Sequence, residues 1–198
     1  MLVIGVTGNI GSGKTAVSKI LEGQGAYVIN ADIIAREVLG KNSAGYDEAV
    51  RFFGESVLQD NGEIDRRHLA QIVFSDSQKL EVLNSITHKY VIAEIDDLIA
   101  NVREQRSHEV ICLDVPLLFE SGLDRICDVT WTIDAPYETK IARVMERDKA
   151  DRQAAKKRLS SQTLSCELRK KSDMVIENDG NFDELERQVL EAFLKVLR

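Results

Sequence analysis

Residues 8–15 read Gly-Asn-Ile-Gly-Ser-Gly-Lys-Thr, directly after an apolar run at 2–6 and directly before the helical stripe Val17, Ile20 and Leu21. A G-x-x-x-x-G-K-[ST] loop with a strand on one side and a helix on the other leaves few folds open. Gly8, Gly11 and Gly13 let the backbone curl its N–H groups toward one centre, where the helix N-terminus adds partial positive charge. Such a loop cradles a nucleoside triphosphate. Lys14 is suited to the β- and γ-phosphates and the Thr15 hydroxyl to Mg²⁺. Asn9, Ile10, Gly11, Ser12, Gly13, Lys14, Thr15 and Ala16 are therefore the expected nucleotide-binding stretch, with Thr15 as the metal ligand.

Further apolar runs follow at 27–30, 110–113, 129–133 and 174–176, with helical patterns between them. Apolar strands alternating with helices indicate a parallel sheet covered on both faces. The expected fold is a three-layer α/β/α phosphate-loop NTPase fold with a five-stranded parallel sheet. The first stripe ends at Gly23 and Gly25, and Phe182, Leu185, Val189 and Phe193 repeat at helical spacing in a closing helix. Between Ile33 and Arg106 no buried strand is evident. Leu83, Ile86, Ile95, Leu98 and Val102 mark one long amphipathic helix there, and Gly54, Asn61 and Gly62 break shorter ones. We expect one domain with its core at 1–32, 107–138 and 172–198, a helical insertion at 33–106 and a basic helical segment at 139–171.

That segment holds eleven Lys and Arg against four Asp and Glu, whereas the whole chain of 198 residues carries a net charge of −7. An acidic balance argues against general binding to nucleic acid or a membrane surface, since both rest on excess positive charge. Lys140, Arg143 and Arg147 share one helix face and repel one another unless an anion lies opposite. A polyphosphate supplies that anion, and the arginine fork pairs bidentately with phosphate oxygens. The segment reads as a lid that closes over the triphosphate and excludes water. A solvated face laced with Glu146 and Asp148 is the plainer alternative.

Cys112, Cys127 and Cys166 stand singly, without metal or redox spacing, as small core residues in a reducing compartment would. The apolar start is short and uncharged for a secretory leader, and no apolar run approaches the about 18 residues of a membrane span. The expectation is a cytoplasmic protein, a monomer or weak oligomer, with small molecules rather than nucleic acid or membrane as partners.

A GTPase switch needs N-K-x-D and usually D-x-x-G, and Glu177-Asn178-Asp179-Gly180 lacks the lysine. Small-molecule kinases fit better. They need a group that accepts or orients the acceptor's hydroxyl proton. Asp32 is the candidate, because it follows the second strand and the carboxyl ends of parallel strands open onto one crevice. It would equally suit an N-cap for the helix beginning near Ile33. Kinases of nucleosides, shikimate-like acids or sugar acids, and a nucleotide-dependent switch, remain rival readings.

In order along the chain, Gly8 to Thr15, Asn30-Ala31-Asp32-Ile33-Ile34-Ala35-Arg36, Leu83-Asn84-Ser85-Ile86-Thr87-His88, Val115-Pro116-Leu117-Leu118-Phe119-Glu120, Arg143 to Asp148 and Asp173 to Gly180 resemble the successive signatures of dephospho-coenzyme A kinases. The resemblance spans essentially the whole chain. It implies transfer of the ATP γ-phosphoryl group to the ribose 3′-hydroxyl of dephospho-coenzyme A, with Mg²⁺ accompanying ATP. It further implies Asp32 as general base or hydroxyl-orienting group, Arg147 and Arg143 as lid arginines beside Lys14, and Asn178 near the adenine, where a turn-forming Asn is an equal alternative. Thr87, His88, Leu117 and Glu120 would line the acceptor side, partly from the helical insertion. Phe119 suits either a substrate ring or the core. One departure is visible: Lys89 stands where the family pattern has proline, so the backbone of the acceptor loop is less restrained there. Asp114 ends the third strand, where a carboxylate can hold Mg²⁺ through water, although the family pattern does not demand an acid. His68, with Arg66 and Arg67, suits a helix start better than a pyrophosphate site.

Overall fold

A computed structural model describes residues 1–197 of the chain. It divides into two compact units, Met1–Asn30 with Val102–Arg198, and Ala31–Asn101. The first unit is built on β1 (Leu2–Thr7), β2 (Tyr27–Asn30), β3 (Val110–Asp114), β4 (Val129–Asp134) and β5 (Met174–Glu177). These are the five expected strands. They pair in the order β2-β3-β1-β4-β5, and every pairing is parallel. The register sets Val6 beside Asp114 and Trp131, Asn30 beside Asp114, and Asp134 beside Glu177, so the polar carboxyl ends of the strands form one edge.

Helix α1 (Lys14–Gly23) and the closing helix α9 (Phe182–Val196) pack on this sheet. Val17, Ile20 and Leu21 from α1 and Leu185, Val189 and Phe193 from α9 join Ile4, Val6, Trp131, Ile133 and Ile176 in one apolar core. Phe182 departs from the expected stripe. It is the first residue of α9, one turn ahead of the first core contact, and is 57% exposed. Cys112 lies in the core and Cys127 is half-buried, and burial pushes both thiols up to about 12. Cys166 corrects the expectation of a core residue: it sits on the solvent face of a short helix whose buried residue is Leu168.

The second unit contains α2 (Ala31–Glu37), α3 (Ala44–Phe53), α4 (Arg66–Phe74) and most of α5 (Ser77–Gln105), the long helix anticipated from its apolar spacing. The Ser43 side chain caps α3, and the Asp65 carboxylate caps α4 by accepting from the Arg67 and His68 amides. Ala49, Val57, Ile64, Leu69 and Val73 form its core, and the extended structure among them is a single bridge between Leu58 and Ile64.

The basic segment folds as α6 (Tyr137–Asp148), α7 (Arg152–Ser160) and α8 (Ser165–Lys171). Here the structure corrects the expected row of anion-seeking cations. Lys140 is buried, with Nζ 2.8 Å from Asp134 Oδ1 and 2.7 Å from Ser165 Oγ. Arg169 reaches Asp134 Oδ2 at 3.1 Å and also pairs with Glu177. Asp134 ends a buried strand, and a carboxylate in that position requires a counter-charge. Lys140 supplies it, which ties α6 to β4.

Replacing Leu21 with alanine should cost about 2–5 kcal/mol in urea unfolding, whereas the exposed Leu194→Ala should stay within about 0.5 kcal/mol. Burial works to raise the Asp134 pKa, but the Lys140 hydrogen bond and charge, the Ala135 amide and Arg169 outweigh it and hold the carboxyl below its ordinary range. A depressed acid stabilises the fold above its unfolded pKa of about 3.9 and loses that contribution as pH falls through the lower folded value. The stability gap between the wild type and Asp134→Asn should therefore be about 3–5 kcal/mol near neutral pH and should shrink below about pH 4. A gap equal at pH 7 and pH 3 would contradict the pairing.

Candidate active site

The phosphate loop leaves β1 at Thr7 and enters α1 at Lys14. No side chain caps α1 and its first turn carries no acid, so the positive end of the helix dipole is not offset there. Two glycines are required by their neighbours. A Cβ on Gly11 would lie 2.6 Å from the Lys140 carbonyl oxygen, and one on Gly13 would lie 2.0 Å from Asn178 Nδ2, with φ of +79° and +99°. The loop is thus pressed against the start of α6 and the turn after β5.

Polar contacts reinforce that fit. Asn178 is buried, donating from Nδ2 to the Ser12 carbonyl at 2.7 Å and from its amide to the Asp134 carbonyl at 2.7 Å. Arg143 donates from Nη1 to the Gly11 and Ser12 carbonyls, both at 3.4 Å, and from Nη2 to Asn178 O and Oδ1 at 3.2 and 3.3 Å. Arg143 and Asn178 therefore occupy the carbonyl side of the loop. Lys14 Nζ donates to the Gly8 carbonyl at 3.0 Å, so its ammonium lies across the loop. Thr15 is exposed in the first turn of α1.

Asp114 is buried and accepts from Ser18 Oγ at 3.0 Å, one turn beyond Lys14, and from Asn30 Nδ2 at 3.5 Å. Ser18 was not singled out from the sequence, although a serine inside the apolar stripe of α1 was a usable signal. Asp134 was also missed, although it ends an apolar strand just as Asp114 does.

Arg147 does not join the loop contacts. Its side chain is 61% exposed and pairs with its neighbour Asp148, Nε to Oδ1 at 2.7 Å and Nη2 to Oδ2 at 3.0 Å, and Arg158 binds the same carboxylate. Leu117 is exposed on the segment after β3, and Glu120 accepts a hydrogen bond from Thr163 Oγ1. Phe119 lies beneath the Lys171 ammonium, 5.7 Å from ring centroid to Nζ.

In the second unit, Asp32 is exposed in the first turn of α2, two residues past the end of β2, so it is a first-turn residue rather than the N-cap. Thr87 spends its hydroxyl on the Leu83 carbonyl at 2.8 Å, and His88 is exposed. The expected acceptor loop here is instead continuous helix. Lys89 lies inside α5, where its amide can serve the helix as a proline's could not, and Nζ binds Glu48 at 2.8 Å. His68 sits in the capped first turn of α4, as a helix-start residue does.

A family model described as dephospho-CoA kinase matches residues 2–184. The chain is 43% identical to the dephospho-CoA kinase of Fusobacterium nucleatum, covering 96% of this chain and 95% of that protein. It is 36% identical to that of Arabidopsis thaliana, covering 100% of this chain and 85% of the relative. The dephospho-CoA kinase structure from Campylobacter jejuni superposes with a TM-score of 0.73 at 28% identity, covering 98% of this chain and 96% of that one. A shikimate kinase from Acinetobacter baumannii, at 15% identity and a TM-score of 0.53 over 99% of this chain and 94% of that one, shares the fold. With the phosphate loop built as described and the match running almost end to end, this chain belongs to the dephospho-CoA kinase family.

Proposed function

We propose that this chain carries out the reaction of its family, transfer of the γ-phosphoryl group of ATP to dephospho-coenzyme A, with the ribose 3′-hydroxyl as acceptor. The family match carries the acceptor, and the observation that carries the donor is the loop Gly8–Thr15, whose backbone is held from behind by Arg143 and Asn178 at the uncapped N-terminus of α1. Main-chain amides and a helix dipole fixed before the substrate arrives stabilise phosphate charge without reorganisation.

The proposed roles combine the chemistry of the site with what the family resemblance implies. Lys14, whose ammonium lies across the loop at the Gly8 carbonyl, binds the β- and γ-phosphate oxygens through charge-assisted hydrogen bonds. Arg143 keeps the loop in shape and Arg147, exposed on α6, turns from Asp148 to the transferring group. Asp32 accepts or orients the acceptor's hydroxyl proton, and its exposure leaves it open to substrate. Asn178 borders the adenine end of the nucleotide. Thr87, His88, Leu117 and Glu120 contact the acceptor, with 33–106 as the acceptor subdomain and 139–171 as the lid.

Among the described residues no group of three or more His, Cys, Asp or Glu could hold a metal. We place Mg²⁺ with the incoming ATP, since that ion keeps most of its waters and takes one or two protein oxygens besides phosphate. The Thr15 hydroxyl would hold it, with Asp114 behind through water. When bound, Mg²⁺ would neutralise negative charge on the β- and γ-phosphates. No described helix is long and apolar enough to cross a membrane. Free Cys112, Cys127 and Cys166 suit a reducing cytoplasm, where we place the protein as a monomer or weak oligomer.

Asp32→Asn should lower kcat by about 10²–10⁴ while the Kd for ATP stays within about threefold, because the phosphate cradle is untouched. Turnover near that of the wild type would remove Asp32 from the mechanism. Lys14→Ala should weaken ATP binding by about tenfold or more, the equivalent of one charge-assisted hydrogen bond, and lower kcat as well. Calorimetric titration together with a coupled ADP-release assay separates the two effects.

A further inference from the structure

The segment joining α7 to α8 makes contacts that neither the loop motif nor the proposed roles account for. Gln162 Oε1 accepts the Ile10 amide at 2.8 Å and lies 3.5 Å from Asn9 Nδ2. The next residue, Thr163, accepts from Asn9 Nδ2 through its carbonyl at 2.9 Å. Ser165 Oγ donates to Asn9 Oδ1 at 2.8 Å and itself accepts from the buried Lys140. The Ile10 side chain packs on the cluster Ile141, Val144, Ala155 and Leu159, contributed by α6 and α7. The second and third residues of the phosphate loop are therefore held by a segment about 150 positions away in the chain.

A phosphate loop works only if its amides keep fixed directions, and any amide that does not face the phosphate needs a partner elsewhere. Ile10 has found one in a side chain of another element. Glutamine meets the requirement well: it reaches from the end of α7, offers a neutral acceptor, and places no carboxylate beside a loop that must receive a polyanion.

We infer that Gln162 is a positioning residue for the donor loop, acting through the Ile10 amide rather than on ATP itself. Asn9, clasped by Thr163 and Ser165, completes the hold. The inference rests on the reading of this loop as the ATP site. It also gives the basic segment a second task, because its α7–α8 connector shapes the loop from the side while Arg143 braces it from behind.

Two substitutions of similar size test it: Gln162→Met removes the acceptor, and Gln162→Glu keeps an acceptor oxygen. The measurements are hydrogen exchange at the Ile10 amide by NMR, Mg-ATP affinity by calorimetry, and exchange across the sheet core as a measure of folding. Gln162→Met should speed Ile10 exchange by about tenfold or more and raise the ATP Kd by about tenfold, the scale of leaving one part-buried amide without its partner. Core exchange and the KM for dephospho-coenzyme A should stay within about twofold. Gln162→Glu should retain Ile10 protection. Unchanged ATP affinity in Gln162→Met, an unchanged Ile10 rate, loss of Ile10 protection in Gln162→Glu, or faster exchange throughout the core would each overturn the assignment. A wild-type protein that failed to bind Mg-ATP would instead overturn the functional reading on which it rests.

Discussion

The rest of the first unit depends on one close approach. Where β1 turns into α1, the backbone at Gly11 and Gly13 comes so near to the Lys140 carbonyl and the Asn178 side chain that no Cβ fits. Everything around the loop is arranged to hold that approach in place. Asp134 recruits Lys140 and so brings the start of α6 against the loop, while Asn178, whose amide binds the Asp134 carbonyl, fixes the turn after β5. The neighbouring ends of β4 and β5 thus serve one eight-residue turn at the end of β1. The chemistry this allows is electrostatic: amides and a helix terminus are oriented toward a phosphate before it arrives.

Seen from the loop, the charge distribution of the chain is less puzzling. A net charge of −7 would repel a polyphosphate, and the eleven cations of residues 139–171 offset that locally. Several of these cations are already engaged. Lys140 and Arg169 neutralise Asp134, Arg143 binds loop carbonyls, and Arg147 and Arg158 share Asp148. The segment is therefore both structural and, in the roles proposed for Arg143 and Arg147, functional. Its inner contacts secure the loop, and its exposed cations remain available to substrate.

Much of this was legible in the sequence because the signals were local. The five strands were visible as short apolar runs, α1 and α5 as apolar residues at helical spacing, and the phosphate loop as a motif with its proper flanks. The family words at 83–88 and 115–120 pointed to the right family even though Thr87 and His88 turned out to lie within a helix rather than a loop. What was hidden depended on pairings between elements, which apolar spacing within one element does not encode. The Lys140–Asp134 pair joins residues on successive elements, and helical spacing alone grouped Lys140 with Arg143 and Arg147 as if all three faced outward. The bond between Gln162 and Ile10 spans 152 positions and has no periodic trace. Phe182 and Cys166 were misjudged for a related reason. Residue type suggested burial, but the first position of α9 and the outer face of α8 are exposed. Ser18 shows the converse, since a hydroxyl within an apolar stripe marked the site of a buried carboxylate partner.

In the reaction we propose, this fold joins the terminal phosphoryl group of ATP to the ribose 3′-oxygen of dephospho-coenzyme A. Phosphorus NMR of the products of wild-type protein incubated with Mg-ATP and dephospho-coenzyme A tests it most directly. A new 3′-phosphomonoester resonance should grow in step with ADP. Release of ADP with inorganic phosphate while dephospho-coenzyme A remains unchanged would contradict it.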